Sequence, residues 1–209
     1  MTIRAIIFDF GDVLDTLEDQ DPWLAQREAA AARLGMTGES LWNYLYSNPL
    51  WEQVKRGQIP NSVYWDGILR PHGITDPAAQ AAYVAELFKD RARLHPQMLA
   101  LLRDLRPRYQ LAMLSNTFRL ELERYLIETH GLGGIFDVVV GSADVGMAKP
   151  EPEIYRLTLD RLGVKPEEVL FIDDMPRNTA AAEALGITSI VFETPEQLRR
   201  ELVQRGLLP

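Results

Sequence analysis

Five short apolar runs separated by helical spacing constrain this chain more than any other feature. They are RAIIFD (residues 4–9), YQLAMLS (109–115), IFDVVVG (135–141), EVLFIDD (168–174) and ITSIVF (187–192). Each is rich in β-branched or apolar residues and short enough to be a strand buried on both faces. Helical patterns occupy 96–105, 120–129, 151–162 and 178–185 between them. Strands that alternate with helices pair in parallel and are covered on both sides, so the reading is an α/β fold with a parallel sheet. In such sheets the ligand crevice lies at the carboxyl ends of the strands, which singles out the polar residues that close the runs.

Residues 16–92 break this rhythm. The segment is alanine-rich, then aromatic-rich (Trp42, Tyr44, Tyr46, Trp51, Tyr64, Trp65), with breaks at Pro49, Pro60, Pro71-His72-Gly73 and Pro77. Its helical spacing predicts an α-helical subdomain over 16–92, inserted after the first strand of a core made of 1–15 and 93–209. Its aromatics are expected mostly in the interior of that bundle. The stretch TPEQLRRELVQRG near the carboxyl end reads as a solvated amphipathic helix.

With 209 residues, 46% hydrophobic and 25% charged, the chain can build one good core and a subdomain. A formal net charge of −8 argues against nucleic acid or an anionic membrane as main partner, since both select basic surfaces. An anionic small substrate would need local cations. Cysteine is absent, which excludes thiolate chemistry and disulfides, and His72, His95 and His130 make no ligand spacing. Asp9 interrupts the first apolar run too early for a signal peptide or a membrane span, so a cytoplasmic protein is expected.

The strand ends carry Asp9, Ser115-Asn116 and Asp173-Asp174, and a loop carries Lys149 before Pro150. Singly, each has an ordinary explanation as a turn, a helix cap or a surface charge. Together they would bring three carboxylates and a lysine to one crevice, and carboxylates so placed repel one another unless a cation sits among them. Oxygen ligands without His or Cys suit Mg²⁺.

The ordered motifs FDFGDVL, LSN, KPEPEIY and FIDDMPRNTAAAEALG resemble those of the haloacid dehalogenase superfamily of phosphotransferases and hydrolases. The resemblance is close over residues 3–15 and about 93–192, and it extends by position and length to the helical insert. It implies a Rossmann-like three-layer αβα core with a small α-helical cap. By the same resemblance Asp9 would be the nucleophile and form an aspartyl-phosphate. Ser115 and the backbone amide of Asn116 would bind phosphoryl oxygens, and Lys149 would neutralise their charge and hold Asp9 ionised. Asp174 would be the main Mg²⁺ carboxylate with Asp173 beside it, and the carbonyl of Gly11 a further ligand. These are the alignment and electrostatic parts that phosphoryl transfer needs.

The chain departs from the pattern at Gly11, where phosphatases of the superfamily usually carry a second aspartate as general acid and base. Such a residue typically contributes about 10²–10⁴-fold. The expected activity is a Mg²⁺-dependent phosphatase acting on a small organic phosphate, with water, a substrate hydroxyl or Asp12 supplying the proton transfers. Two alternatives stay open. One is a 2-haloacid dehalogenase, which also lacks that aspartate but dispenses with the metal. The other is a non-catalytic member that binds a phosphorylated ligand or a protein. In the insert, Lys55, Arg56 and Arg70 are candidate cations and Trp23, Trp51 and Trp65 candidate stacking surfaces, while Arg119 lies four residues past Ser115.

Overall fold

The computed structural model describes residues 2–15, 22–89, 94–120, 124, 126 and 131–209. Five parallel strands form one sheet in the order β3-β2-β1-β4-β5: β1 Ala5–Phe8, β2 Gln110–Ser115, β3 Val138–Gly141, β4 Val169–Asp173 and β5 Thr188–Val191. The register pairs Phe8 with Met113 on one side and Ile172 on the other. The ends of β1, β2 and β4 therefore lie side by side at the middle of the sheet.

Alternation along the strands divides the core into two. Ile6, Phe8, Leu111, Met113, Leu170 and Ile172 face one layer, and Ala5, Ile7, Ala112, Leu114, Val169 and Phe171 the other. On the first face pack Leu101 and Leu102 of Pro96–Leu105, together with Leu198 and Leu202 of Pro195–Gln204. That last helix was expected to be solvated; instead its apolar stripe is sealed against the sheet, because an amphipathic helix at the end of the chain covers a face otherwise left wet. On the second face lie Ile154, Tyr155 and Leu159 of Pro152–Leu162, and Ala182 of Pro176–Glu183. The helix expected at 120–129 lies largely outside the described residues.

Among the described residues between β1 and the helix Pro96–Leu105 stand five α-helices: α1 Pro22–Ala32, α2 Gly38–Tyr46, α3 Pro49–Val54, α4 Asn61–Leu69 and α5 Pro77–Phe88. The prolines seen as breaks open helices: Pro49 and Pro77 occupy first-turn positions, behind Asn48 and Asp76, whose side chains accept from the backbone N–H of Trp51 and Ala79 at 2.9 and 2.8 Å. The bundle has its own interior, including Leu41, Leu45, Tyr64, Trp65, Ile68, Tyr83 and Leu87. Among the described residues no helix is long and apolar enough to cross a membrane.

Candidate active site

Asp9 directly follows β1 and is tied to the neighbouring strand by its N–H, which donates to the Ile172 carbonyl at 2.9 Å. Its Oδ1 accepts from the Phe10 N–H at 2.6 Å and stands 2.9 Å from Lys149 Nζ. Lys149 is 1% exposed, and its Nζ also donates to Asp173 Oδ2 at 2.6 Å. The lysine is placed by its backbone: Asn116 Nδ2 donates to the Lys149 carbonyl, and the Lys149 N–H donates to Asn116 Oδ1, both at 2.9 Å. The Asn116 side chain is thereby spent on positioning, which leaves its backbone as what it could offer an anion. Ser115, at the end of β2, is buried and lines the same cleft as Asp9 and Lys149.

The paired aspartates divide their work. Asp173 is fully buried; its Oδ2 serves Lys149, while its Oδ1 accepts from the Met175 N–H at 2.9 Å and from Asn178 Nδ2 at 2.8 Å. Asp174 instead lines the cleft and has no ion pair among the described residues. Burial pushes its carboxyl up to about 6, with Asp173 and Asp12 adding to the shift. Burial likewise raises the Asp9 carboxyl well above the ordinary range against the pull of Lys149, with Asp173 and Asp174 reinforcing it. Burial disfavours the Lys149 ammonium, but Asp9 and Asp173 outweigh it and hold its pKa above the usual value.

One carboxylate oxygen from each of Asp9, Asp173 and Asp174 lies within 4.8 Å of the others. Asn178 adds a second sign of an oxygen-seeking partner. It is 4% exposed, lines the cleft, and its Oδ1 has no hydrogen-bond partner among the described residues. A donor set of carboxylates and an orphaned amide oxygen fits a hard divalent cation, which would also offset the burial and the mutual repulsion that raise Asp9 and Asp174.

Gly11 lines the cleft, and a Cβ built there would meet nothing within 4 Å. No steric demand excludes a side chain at this position. Asp12 adopts a left-handed conformation (φ 57°), and its N–H donates to Asp15 Oδ1 at 2.7 Å, so its backbone shapes the turn. Its side chain is exposed at the cleft and close enough to influence Asp174.

The cations proposed from the insert are engaged elsewhere. Lys55 is buried against Glu52 at 2.7 Å, and Arg70 pairs with Asp66 at 2.8 Å. Arg56 Nε donates to Glu151 Oε1 at 2.8 Å, joining the bundle to the loop that carries Lys149. Arg119 Nη2 reaches the Ala143 carbonyl at 3.3 Å. Trp23 is sealed in, with Nε1 donating to the Leu87 carbonyl at 2.8 Å, whereas Trp51 and Trp65 belong to the bundle interior and still line the cleft. Sequence reasoning missed Asn178, whose signal was its place five residues after Asp173, and Phe118, three residues after Ser115. Phe118 inserts among the bundle aromatics, 5.3 Å from Trp51 and 5.4 Å from Trp65 between ring centroids. It missed Arg177 as well, which is exposed at the cleft.

The family model for haloacid dehalogenase-like hydrolases matches residues 3–186 of this chain. The chain spans about a third or less of the length of the first curated relatives it matches: 36%, 8% and 12%. A sesquiterpene phosphatase of Aspergillus oryzae is 26% identical over 90% of this chain and 89% of its own. A phosphoserine phosphatase of Thermus thermophilus is 30% identical over 82% of this chain and 65% of its own. Among solved structures, a family enzyme from Bacteroides thetaiotaomicron in complex with magnesium and inorganic phosphate superposes with a TM-score of 0.69. It is 23% identical, covering 91% of this chain and 94% of that one. An L-2-haloacid dehalogenase from Xanthobacter autotrophicus superposes at 0.67 with 23% identity, covering 100% of this chain and 85% of that one.

Proposed function

The chain belongs to the haloacid dehalogenase-like hydrolases, and we propose that within them it is a Mg²⁺-dependent phosphatase that cleaves a small organic phosphate monoester. One observation carries the reading: beside the lysine-held Asp9 stands a second carboxylate, Asp174, that faces the cleft with no ion pair among the described residues. A metal-free dehalogenase would gain nothing from that carboxylate, which would repel an anionic haloacid. The phosphatases among the relatives support the same choice. Their names point to unlike leaving groups, a sesquiterpene and a serine.

Asp9, Asp174 and the Gly11 carbonyl would hold Mg²⁺, with Asp173 behind them keeping Lys149 and Asn178 in place. When bound, the ion supplies positive charge against the clustered carboxylates and the phosphoryl oxygens. Lys149 and the Phe10 N–H both engage Asp9 Oδ1, which leaves Oδ2 to attack phosphorus. As the Oδ2–P bond forms, the ester P–O bond breaks and the departing oxygen takes a proton from water, since Gly11 has none to give. Water then attacks the aspartyl-phosphate, its proton passes to solvent, and phosphate leaves with Asp9 restored. Ser115 and the backbone of Asn116 orient the phosphoryl group, and the bundle of residues 22–88 acts as a cap that limits water at the site.

Turnover of p-nitrophenyl phosphate tests this. It is expected to require Mg²⁺ and to fall by at least about 10³-fold in Asp9→Asn, the loss of a nucleophile. Metal-independent turnover, full activity in that variant, or halide release from 2-haloacids in place of phosphate release would overturn it.

A further inference from the structure

The cleft that holds Asp9, Ser115, Lys149 and Asp174 has a volume of about 1300 Å³, far more than a phosphoryl group fills. Ordinary small-molecule pockets run about 300–1,000 Å³. Its other wall is aromatic: Trp42 and Tyr46 from α2, Trp51 from α3, Trp65 from α4, Phe88 from α5, and Phe118 from the loop that begins with Ser115. The rings lock edge to face, with centroids 4.6 Å apart for Trp42 and Tyr46 and 4.8 Å for Tyr46 and Trp51, so the wall is rigid.

Charge on the bundle side offers little to a polar leaving group. Lys55, Arg56 and Arg70 are paired, and Glu52, which lines the cleft, would repel a second anionic group. Of the bundle's four amides at the cleft, Asn48 is committed to the backbone of Tyr44, Leu45 and Trp51, and Asn61 to the carbonyl of Arg119, while Asn43 and Gln53 are exposed. The buried part of the bundle wall is thus aromatic, and the polar groups on the cleft beyond the charged end, Asn43, Gln53 and Arg177, are exposed to solvent.

We propose, building on the phosphatase reading, that the substrate is the phosphate monoester of a large apolar alcohol, whose hydrocarbon lies along Trp42, Tyr46, Trp51, Trp65, Phe88 and Phe118. These rings determine specificity. Phe118 also links the two ends of the cleft, because the loop that directly follows Ser115 is anchored by that ring in the aromatic wall. Burial of each methylene can contribute about four-fold in affinity. A wall open to solvent on one side should return about half of that exponent, or about two-fold per methylene.

The test is kcat/KM with Mg²⁺ for methyl, butyl and octyl phosphate, run beside calorimetric binding of the matching alkylphosphonates, which cannot be hydrolysed. Octyl phosphate is expected to exceed methyl phosphate by about 10²-fold, with phosphonate affinity rising in step. Ala85→Glu, at an exposed position of α5 on the cleft, places a charge on the wall without opening the bundle interior, and should cut the octyl-to-methyl ratio at least ten-fold. Equal kcat/KM along the series, or phosphonate affinity independent of chain length, overturns the proposal. A flat series with p-nitrophenyl phosphate still hydrolysed removes the apolar leaving group and leaves the phosphatase standing. Rising phosphonate affinity with no ester turned over upholds the apolar pocket and removes the phosphatase.

Discussion

At the sheet end of the cleft Asp9, Ser115, Lys149 and Asp174 arrive from four separate segments of chain, whereas at the bundle end Trp42, Tyr46, Trp51, Trp65 and Phe88 arrive from one continuous helical stretch. The first end exists only because parallel pairing sets the ends of β1, β2 and β4 next to one another. The second combines local ring contacts, Trp42 with Tyr46 and Tyr46 with Trp51, with contacts between helices, Trp42 and Trp65 with Phe88. The two ends also differ in what holds them. The charged end depends on compensation, with Lys149 between Asp9 and Asp173, so removing one partner exposes the desolvation cost of the others. The aromatic end depends on dispersion and burial spread over many contacts, so no single group carries it.

That contrast is sharpest for Lys149. Lys149→Met leaves Asp9 and Asp173 buried without their cation, and is expected to cost about 3–5 kcal/mol of stability in denaturant unfolding. A loss under about 1 kcal/mol would mean that the charged end is held by packing, like the aromatic one, and would erase the difference between them.

Gly11→Asp comes next. The position has room for a side chain, and a carboxyl there could protonate a departing alkoxide. Turnover of alkyl phosphates is expected to rise by about 10²-fold, the lower end of what general acid catalysis contributes, with a smaller gain for aryl phosphates whose leaving groups need less protonation. An equal gain for both classes would show that protonation does not limit the present enzyme.

The smallest effect is a shift in melting temperature with pH. The Asp174 carboxyl sits at about 6 in the fold, above its ordinary 3.8. A carboxyl raised in this way favours the folded state fully below its unfolded value and loses that contribution as pH climbs through the folded one. Metal-free protein should therefore lose stability between about pH 4 and pH 6. Added Mg²⁺, which favours the ionised form, should raise the melting temperature more at pH 7 than at pH 5. An equal increment at both would place the binding of the ion away from Asp174.

Much of this molecule is legible along the chain because the signals are local. Short continuous apolar runs mark the strands: Gln110–Ser115 and Val169–Asp173 fall inside the runs YQLAMLS and EVLFIDD. Pro49 and Pro77 mark helix starts because a fixed φ and a missing N–H suit a first turn. The residues that close the strands could be named because a parallel sheet sends its carboxyl ends to one edge. What each does there could not be read so far. Nothing in the dipeptide Asp173-Asp174 says that the first is consumed by Lys149, Met175 and Asn178 while the second is left to the cleft; that division follows from which way each points at the end of β4. Lys55, Arg56 and Arg70 were candidate cations for the substrate because sequence does not display which carboxylates, Glu52, Glu151 and Asp66, fold against them. Phe118 carries no signal in the sequence, because its partners Trp51, Tyr64 and Trp65 lie more than fifty residues before it. Sequence alone determined the α/β class, the helical character of the stretch after β1 and which charged residues close the strands, since these depend on spacing and residue type. Tertiary structure decided the partners of each charge and the apolar character of the cleft, since both depend on distances between segments far apart in the chain.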